Sequence, residues 1–435
     1  MLLRFKTKNF LSFYEETVFD MFPNIKREKF SHHIYTEMAV PLLKQAAIYG
    51  ANASGKSNFI KAVEFLRGFV MHENFLKFID FDNYIFQLTK EKSQNISFEI
   101  EFFHKDRYYL YFADISQKEI CEKLSISGLG KKDDTLIFER KGTSVNAPSI
   151  QNEMAVKQLL SLNPNSSLLP LNLKFPVLSS NDAKYIYDWF SKKTEIISIN
   201  STIPALINLM SQKPQILNFA NKVFESIGIG IKAVEISDIP FEKWATKSKN
   251  AAELQRIIDK SPVPFSRNIT QMQNNRNILN ITIQKGIKTV QELLFDQYGQ
   301  SGYHKDMKIT AQSDGTVRLL TLIPALYSAM YQNKTIFVDE IDNSIHPKLM
   351  FELLKFYSNN KSNGQLIFTT HTTKLLNQQE LVRPDEIWLA EKSEGNTRMY
   401  SLNDFKLHNT LNIENGYLDG RYGGVPIIEE IDAEV

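Results

Sequence analysis

The sequence predicts an α/β protein with a mainly parallel core sheet, an antiparallel β meander and a helical insert. Three observations predict it. An apolar strand at 46–49 runs into Gly50-Ala-Asn-Ala-Ser-Gly-Lys-Ser57 and then a helix. From residue 308 onward, short apolar strands alternate with helical stretches, the pattern of a parallel sheet covered on both faces. Between them, residues 96–140 hold four short strands rich in β-branched and aromatic residues, separated by charged turns.

Composition sets the outer bounds. A chain of 435 residues exceeds the usual single core, so two or three domains are expected. Hydrophobic content of 43% and charged content of 23% are ordinary for a globular protein. The 51 basic and 49 acidic residues nearly cancel, which disfavours an obligate nucleic-acid scaffold and leaves only local basic clusters. A single cysteine, Cys121, excludes an intrachain disulfide and reads as a small core residue. The N-terminus lacks the apolar region of a signal peptide, and the apolar run 319–331 is too short for a bilayer. A cytoplasmic protein without membrane contact is expected.

In chain order, residues 1–10 alternate as a strand, Asn9-Phe10-Leu11-Ser12-Phe13 turns, and 17–21 returns. His32, His33 and Glu37 lack a further partner at metal spacing and read as surface residues. Residues 56–72 have helical periodicity. Strands are expected at 96–103, 108–115, 120–127 and 136–140. Composition changes near Asn146, after which helices are expected at 152–162, 182–192, 204–210 and 214–227, with strands at 231–236 and 278–284. The domain expectation is 1–145 for the N-terminal half of a nucleotide-binding head, 146–300 for a mostly helical insert or lid, and 301–435 for the C-terminal half. That half reads as a strand at 308–311, a helix at 315–331, a strand at 335–338, a helix at 346–359 and strands at 365–369, 386–391 and 397–402. The glycine- and aromatic-rich stretch 414–426 follows, and the acidic end, 429–434, reads as a disordered tail.

The spacing G-x-x-x-x-G-K-S between a strand and a helix is the phosphate-binding loop in its required context. Gly50 and Gly55 lack Cβ, so the backbone can curl around a ligand, and loop amides with the helix N-terminus point at phosphate oxygens. Gly50, Asn52, Ala53, Ser54, Gly55, Lys56, Ser57 and Asn58 are the candidate ATP-binding residues. Lys56 reaches the β/γ-phosphates, and Ser57 is placed to hold Mg2+. The strand 335–338 ends in Asp339-Glu340, a pair suited to holding Mg2+ (Asp339) and to orienting or deprotonating water (Glu340). The competing reading of those acids with Asp342 is a nuclease metal cluster. Ser313 and Gly315 open a helix 24 positions before Asp339, counted from Gly315, and a helix start of that kind binds anions. His371 ends an apolar strand 31 residues after Glu340.

With the order P-loop, Ser-x-Gly helix start, acidic strand and histidine in place, the chain resembles the ABC-type ATPases related to SMC and RecF proteins. It looks closest to the soluble "AAA-like" ATPases of bacterial abortive-infection and anti-phage loci. The marks are Asn9–Phe13, the loop 50–58, Gln-Ser-Asp-Gly-Thr at 312–316, Asp-Glu-Ile-Asp-Asn-Ser-Ile-His-Pro at 339–347 and the glycine-rich stretch 416–426. The resemblance covers roughly 1–140 and 300–426. It implies an ABC-ATPase head with catalytic Glu340 and His371, Asp342 in the D-loop, and Ser57, Asp339 and a Q-loop glutamine (Gln87) at the metal. It also implies ATP and Mg2+ as cofactors and a homodimer or higher homo-oligomer, in which Ser313 and Gly315 of one chain complete the ATP site of another. Three departures stand out: Ala53 replaces a common glycine, the Q-loop is poorly defined, and the signature reads Ser-Asp-Gly in place of Ser-Gly-Gly.

For function, the resemblance implies an ATP-gated dimeric switch or sensor in anti-phage defence. The effector, a nuclease or toxin, would be a partner protein encoded separately, because only 64 residues follow His371. The alternative is a RecF-like repair ATPase that binds duplex DNA, which keeps nucleic acid open as a partner. A transporter subunit fits poorly, because 257 positions separate Lys56 from Ser313.

Overall fold

A computed structural model describes the chain except residues 91–92, 151, 199–205, 249–250, 260–265, 274–275, 285, 378, 408–410 and 427–435, and except the side chains of 257, 266–273 and 276–278. The expected acidic tail at 429–434 lies outside the described residues. Two compact units are present. The first comprises Met1–Ser198, Ser328–Asp342 and Met350–Val435, and the second Ile199–Tyr327 and Asn343–Leu349.

The first unit holds two sheets. Its central sheet has six strands in the order Thr194–Ile197, Thr335–Val338, Gln365–Thr369, Gln45–Tyr49, Ile387–Ser393 and Asn396–Ser401. The first five run parallel. Only Asn396–Ser401 is antiparallel, returning through a hairpin. The strands Gln45–Tyr49, Thr335–Val338 and Gln365–Thr369 are buried throughout, which explains why they read as unbroken apolar runs and not as alternating ones. The edge strand Thr194–Ile197 was not expected; it pairs with Thr335–Val338, from which most of the second unit separates it in sequence.

The second sheet is fully antiparallel. It joins Leu2–Lys8 and Thr17–Asp20 to the meander Ile96–His104, Arg107–Ile115, Ile120–Ile126, Thr135–Lys141 and Ser144–Asn146. The helix Lys56–Met71 buries one face against it. Phe59 meets Phe5 edge-on at 5.7 Å, and Phe65 packs against Phe10 at 5.5 Å and Phe98 at 5.5 Å. Ring pairs of this kind add about 0.5–1.5 kcal/mol each beyond area burial, so the helix axis, and with it the loop at its N-terminus, is firmly set. Helices Glu153–Leu162, Leu168–Lys174 and Asp182–Asp188 belong to this unit, although composition shifts near Asn146. The last continues into a π-helical turn, Trp189–Lys193, whose Trp189 stacks on Phe102 at 4.2 Å.

His33, expected at the surface, is fully buried instead. Its Nδ1 lies 2.8 Å from Glu386 Oε1. Next to it, buried Arg383 grips Asp385 through Nε (2.9 Å) and Nη2 (2.8 Å) and donates to the carbonyls of Asn24, Arg27 and Lys29. This polar knot fastens the 23–35 excursion to the start of the strand Ile387–Ser393. Cys121 is half-buried.

The second unit carries the helices Leu206–Gln212, Pro214–Ile227, Phe241–Ala245 and Ala251–Asp259 and a five-stranded antiparallel sheet. Its strands are Ile231–Pro240, Ser266–Gln273, Arg276–Gln284, Ile287–Tyr298 and His304–Lys308. The insert is thus richer in strand than the helical periodicity suggests. Residues 309–311, expected as strand, form a 3-10 turn leading into the helix Asp314–Tyr331.

Candidate nucleotide site

The P-loop leaves the middle of the central sheet, where Gln45–Tyr49 is flanked by Gln365–Thr369, which leads into His371, and by Ile387–Ser393, which carries Ala390. Close approach explains both glycines. A Cβ on Gly50 would lie 2.3 Å from the Ala390 carbonyl oxygen, and one on Gly55 would lie 2.2 Å from Thr397 Oγ1. Gly55 also sits at φ +106° as the cap of the helix Lys56–Met71. Ala53 adopts a left-handed φ of +62°, so the loop keeps a glycine-like conformation where the glycine is missing. An alanine there costs roughly 1 kcal/mol of backbone strain.

A brace behind the loop was not expected from the sequence. Thr397 donates its hydroxyl to the Ser54 carbonyl at 2.8 Å, and its oxygen lies 2.8 Å from Ser12 Oγ. Asn58 donates its amide to Ser12 Oγ at 2.8 Å. The turn Asn9–Phe13 therefore holds the loop from behind, with Phe10 and Phe13 buried. Asn58, expected at the nucleotide, makes this bracing contact. Asn52 and Ala53 are exposed at the tip of the loop, whereas Ser54 is buried and its hydroxyl has no partner.

Lys56 is 4% exposed and donates its ammonium to the carbonyls of Gly50 and Ala51, both at 2.9 Å. Burial lowers its pKa to about 8, against the upward pull of Glu340, Asp339 and Asp342. Ser57 donates to Asp339 Oδ1 at 3.1 Å. Thr369 donates to the same oxygen at 2.7 Å and accepts from the Glu340 amide at 2.7 Å. The carboxylate of Asp339 is therefore tied to both the P-loop helix and the neighbouring strand. Thr369 was missed by sequence reasoning; its signal was its place at the end of an apolar strand, just before Thr370-His371.

Glu340 takes a left-handed φ of +46° where the strand ends. A glutamate in that conformation is strained, and such strain concentrates at functional sites. His371 Nε2 lies 4.0 Å from Glu340 Oε1, with both side chains about one-third exposed (39% and 32%). Burial, and secondarily the Lys56 charge, lowers the His371 pKa despite the three acids nearby, which favours the neutral imidazole. Asp342 accepts a hydrogen bond from Thr372. Gln87 is exposed, and its amide donates to the carbonyls of Asp82 (2.7 Å) and Ile85 (3.0 Å) within its own loop. Among the described residues there is no group of three or more His, Cys, Asp or Glu side chains placed to hold a metal ion by themselves.

Ser313 and Gly315 lie in the second unit, apart in chain organisation from the residues above. Ser313 Oγ accepts the Thr316 amide at 3.2 Å and caps the helix Asp314–Tyr331. A Cβ on Gly315 would lie 2.5 Å from the Ser344 carbonyl oxygen, so the backbone at Ser344 packs against this helix start and requires glycine there.

Residues 46–205 and 258–377 match the family described as "AAA domain, putative AbiEii toxin, Type IV TA system". The chain belongs to this family. The match covers the P-loop, Asp339, Glu340 and His371 and supports the abortive-infection grouping drawn from the motifs. Among solved structures the chain is similar to an SMC head domain from Thermotoga maritima (12% identity, 93% of this chain and 99% of that one, TM-score 0.41). It is also similar to an SmcHead bound to the C-winged helix domain of ScpA (14%, 93% and 99%, TM-score 0.45). A third is the Smc head domain with an extended coiled coil bound to the C-terminal domain of ScpA derived from Pyrococcus furiosus (14%, 93% and 97%, TM-score 0.42). No curated protein matches the sequence. Among the described residues no helix is long and apolar enough to cross a membrane.

Proposed function

We propose that this member of the family is an ATPase that works as an ATP-gated switch between two chains, in bacterial anti-phage defence, and controls a separately encoded nuclease or toxin. The observation that carries the nucleotide part is the linkage Ser57–Asp339–Thr369–Glu340. It joins the phosphate loop to the acidic strand through hydrogen bonds of 3.1, 2.7 and 2.7 Å. The residues present fit ATP and Mg2+. A buried, partnerless Ser54 hydroxyl and a desolvated Lys56 converge on a loop closed by Gly50 and Gly55.

In this reading Lys56 exchanges the Gly50 and Ala51 carbonyls for phosphate oxygens. Ser57 and Asp339 hold Mg2+, which neutralises phosphate charge when bound. Glu340 orients or deprotonates the attacking water, and His371 contacts the γ-phosphate and that water, a ring N–H donating to the phosphate oxygen. Ser313 and Gly315 of a second chain supply the remaining contacts to the γ-phosphate, by resemblance to ABC-type ATPases. The defence role rests on the family description and on the motif order.

The test is turnover of ATP by the purified chain, with Glu340→Gln alongside. Wild type should release phosphate. Glu340→Gln should bind ATP, lose on the order of a hundredfold or more in rate, and shift to a dimer mass by light scattering. A Glu340→Gln protein that binds ATP yet stays monomeric contradicts the two-chain switch.

A further inference from the structure

The C-terminal segment of the first unit reaches back to the loop that carries His371. Helix Ile413–Leu418 begins with Asn412, whose side chain accepts the Asn415 amide at 3.0 Å. At the second position of the helix, Glu414 Oε1 accepts the Thr373 hydroxyl at 2.9 Å, with Lys374 Nζ at 4.0 Å from the same oxygen. Tyr417 packs edge-on against Tyr49, the last residue of the P-loop strand, with ring centroids 5.9 Å apart. Two hydroxyls lock the rest of the segment: Tyr417 donates to the Gly424 carbonyl at 3.0 Å and Tyr400 to the Tyr422 carbonyl at 2.9 Å.

The two threonines after His371 are thus held by two different segments of the chain. Thr372 donates to Asp342, which follows the acidic strand, and Thr373 donates to Glu414. Before His371, Thr370 is fixed by its amide to the Ile48 carbonyl at 3.1 Å. After it, Leu375 and Leu376 are buried. The histidine, itself partly exposed, stands on a short loop whose C-terminal side is pinned by a carboxylate from a helix some forty residues on.

We propose that Glu414 is a positioning residue for His371. Through Thr373, and with Tyr417 seated on Tyr49, the C-terminal segment fixes the His371 loop for γ-phosphate cleavage. Displacing helix Ile413–Leu418 slows hydrolysis without releasing nucleotide. This rests on the ATPase reading above.

The experiment compares wild type with Glu414→Ala, Thr373→Val, the double variant and Glu414→Gln. Each is followed by phosphate release and by hydrogen exchange of the peptide spanning 369–376. Glu414→Ala and Thr373→Val should each lower kcat roughly tenfold and leave the KM for ATP within about twofold, the pattern of a contact that matters in the transition state. The double variant should lose no more than either single one, because both remove one contact. Glu414→Gln should keep most of the rate, since its amide oxygen still accepts from Thr373. Exchange of 369–376 should quicken in Glu414→Ala, while that of 45–60 stays as in wild type. Unchanged kcat, losses that multiply in the double variant, or a KM rise at constant kcat would each overturn the proposal. If wild type itself does not turn over ATP, the ATPase reading fails. Exchange of 369–376 still decides whether Glu414 fixes the loop: unchanged exchange overturns it, and faster exchange upholds it.

Discussion

Thr369 and Asp339 face each other across neighbouring parallel strands, and the threonine hydroxyl donates to the aspartate at 2.7 Å while accepting from the Glu340 amide at 2.7 Å. One buried side chain thereby ties the Asp339 carboxylate to the backbone of Glu340. Thr369→Val keeps the shape and removes both bonds. It leaves the Glu340 amide without this acceptor, at a cost of about 1–3 kcal/mol. Urea denaturation should show that loss, and phosphate release should fall on the order of tenfold or more, while a Thr369→Ser variant restores most of both.

Lys56 gives the site a pH signature. Its pKa is lowered to about 8 by burial, so the free protein loses the ammonium as pH rises through that value. ATP affinity should weaken above pH 8, measured by titration calorimetry in buffers spanning pH 6.5 to 9.5. Stability has the opposite sign. A lysine with a depressed folded pKa costs stability while protonated in both states, and that cost is relieved as pH climbs from about 8 toward the ordinary 10.5. Lys56→Ala should abolish ATP binding and remove both trends.

Gly55→Ala places a methyl 2.2 Å from Thr397 Oγ1 at a φ of +106°. The loop must move, and the brace through Ser12 and Asn58 moves with it. Thermal unfolding should register a loss of about 1–3 kcal/mol, and ATP should no longer raise the melting temperature. A Gly55→Ala protein with wild-type ATP affinity contradicts the close fit.

Arg383→Met tests the fold apart from the site. It strands Asp385 in a buried position and frees three carbonyls of the 23–35 excursion. Breaking a buried pair this way costs about 3–5 kcal/mol. Denaturant midpoints should fall accordingly, with the affinity for ATP unchanged in the protein that remains folded.

How far the sequence carries can be seen in these residues. The parallel core was legible because its strands are buried on both faces and read as apolar runs, and the P-loop because glycine and lysine spacing reflects local geometry. The strand Thr194–Ile197 was not, because its partner begins at Thr335 and no nearby residue marks the pairing. Helix Leu168–Lys174 carries Pro170 in its first turn, where proline is tolerated but reads as a breaker. The strands Ser266–Gln273 and Ile287–Tyr298 contain many Gln and Asn or charged residues and lack clean alternation. Asn9–Phe13 was visible as a motif, yet its task as a brace depends on Thr397, nearly four hundred residues away. His33 looked like a surface histidine because its partner, Glu386, is 353 residues away.

The central claim is that one chain's Lys56 works with another chain's Ser313. Mixing two inactive variants tests it most directly. Lys56→Ala chains keep an intact signature, and Ser313→Arg chains keep an intact P-loop. Each alone should be inactive in phosphate release, and an equimolar mixture should recover roughly a quarter of wild-type turnover, since half the dimers are mixed and each has one whole site of two. A mixture that stays at the background of its components contradicts the two-chain site.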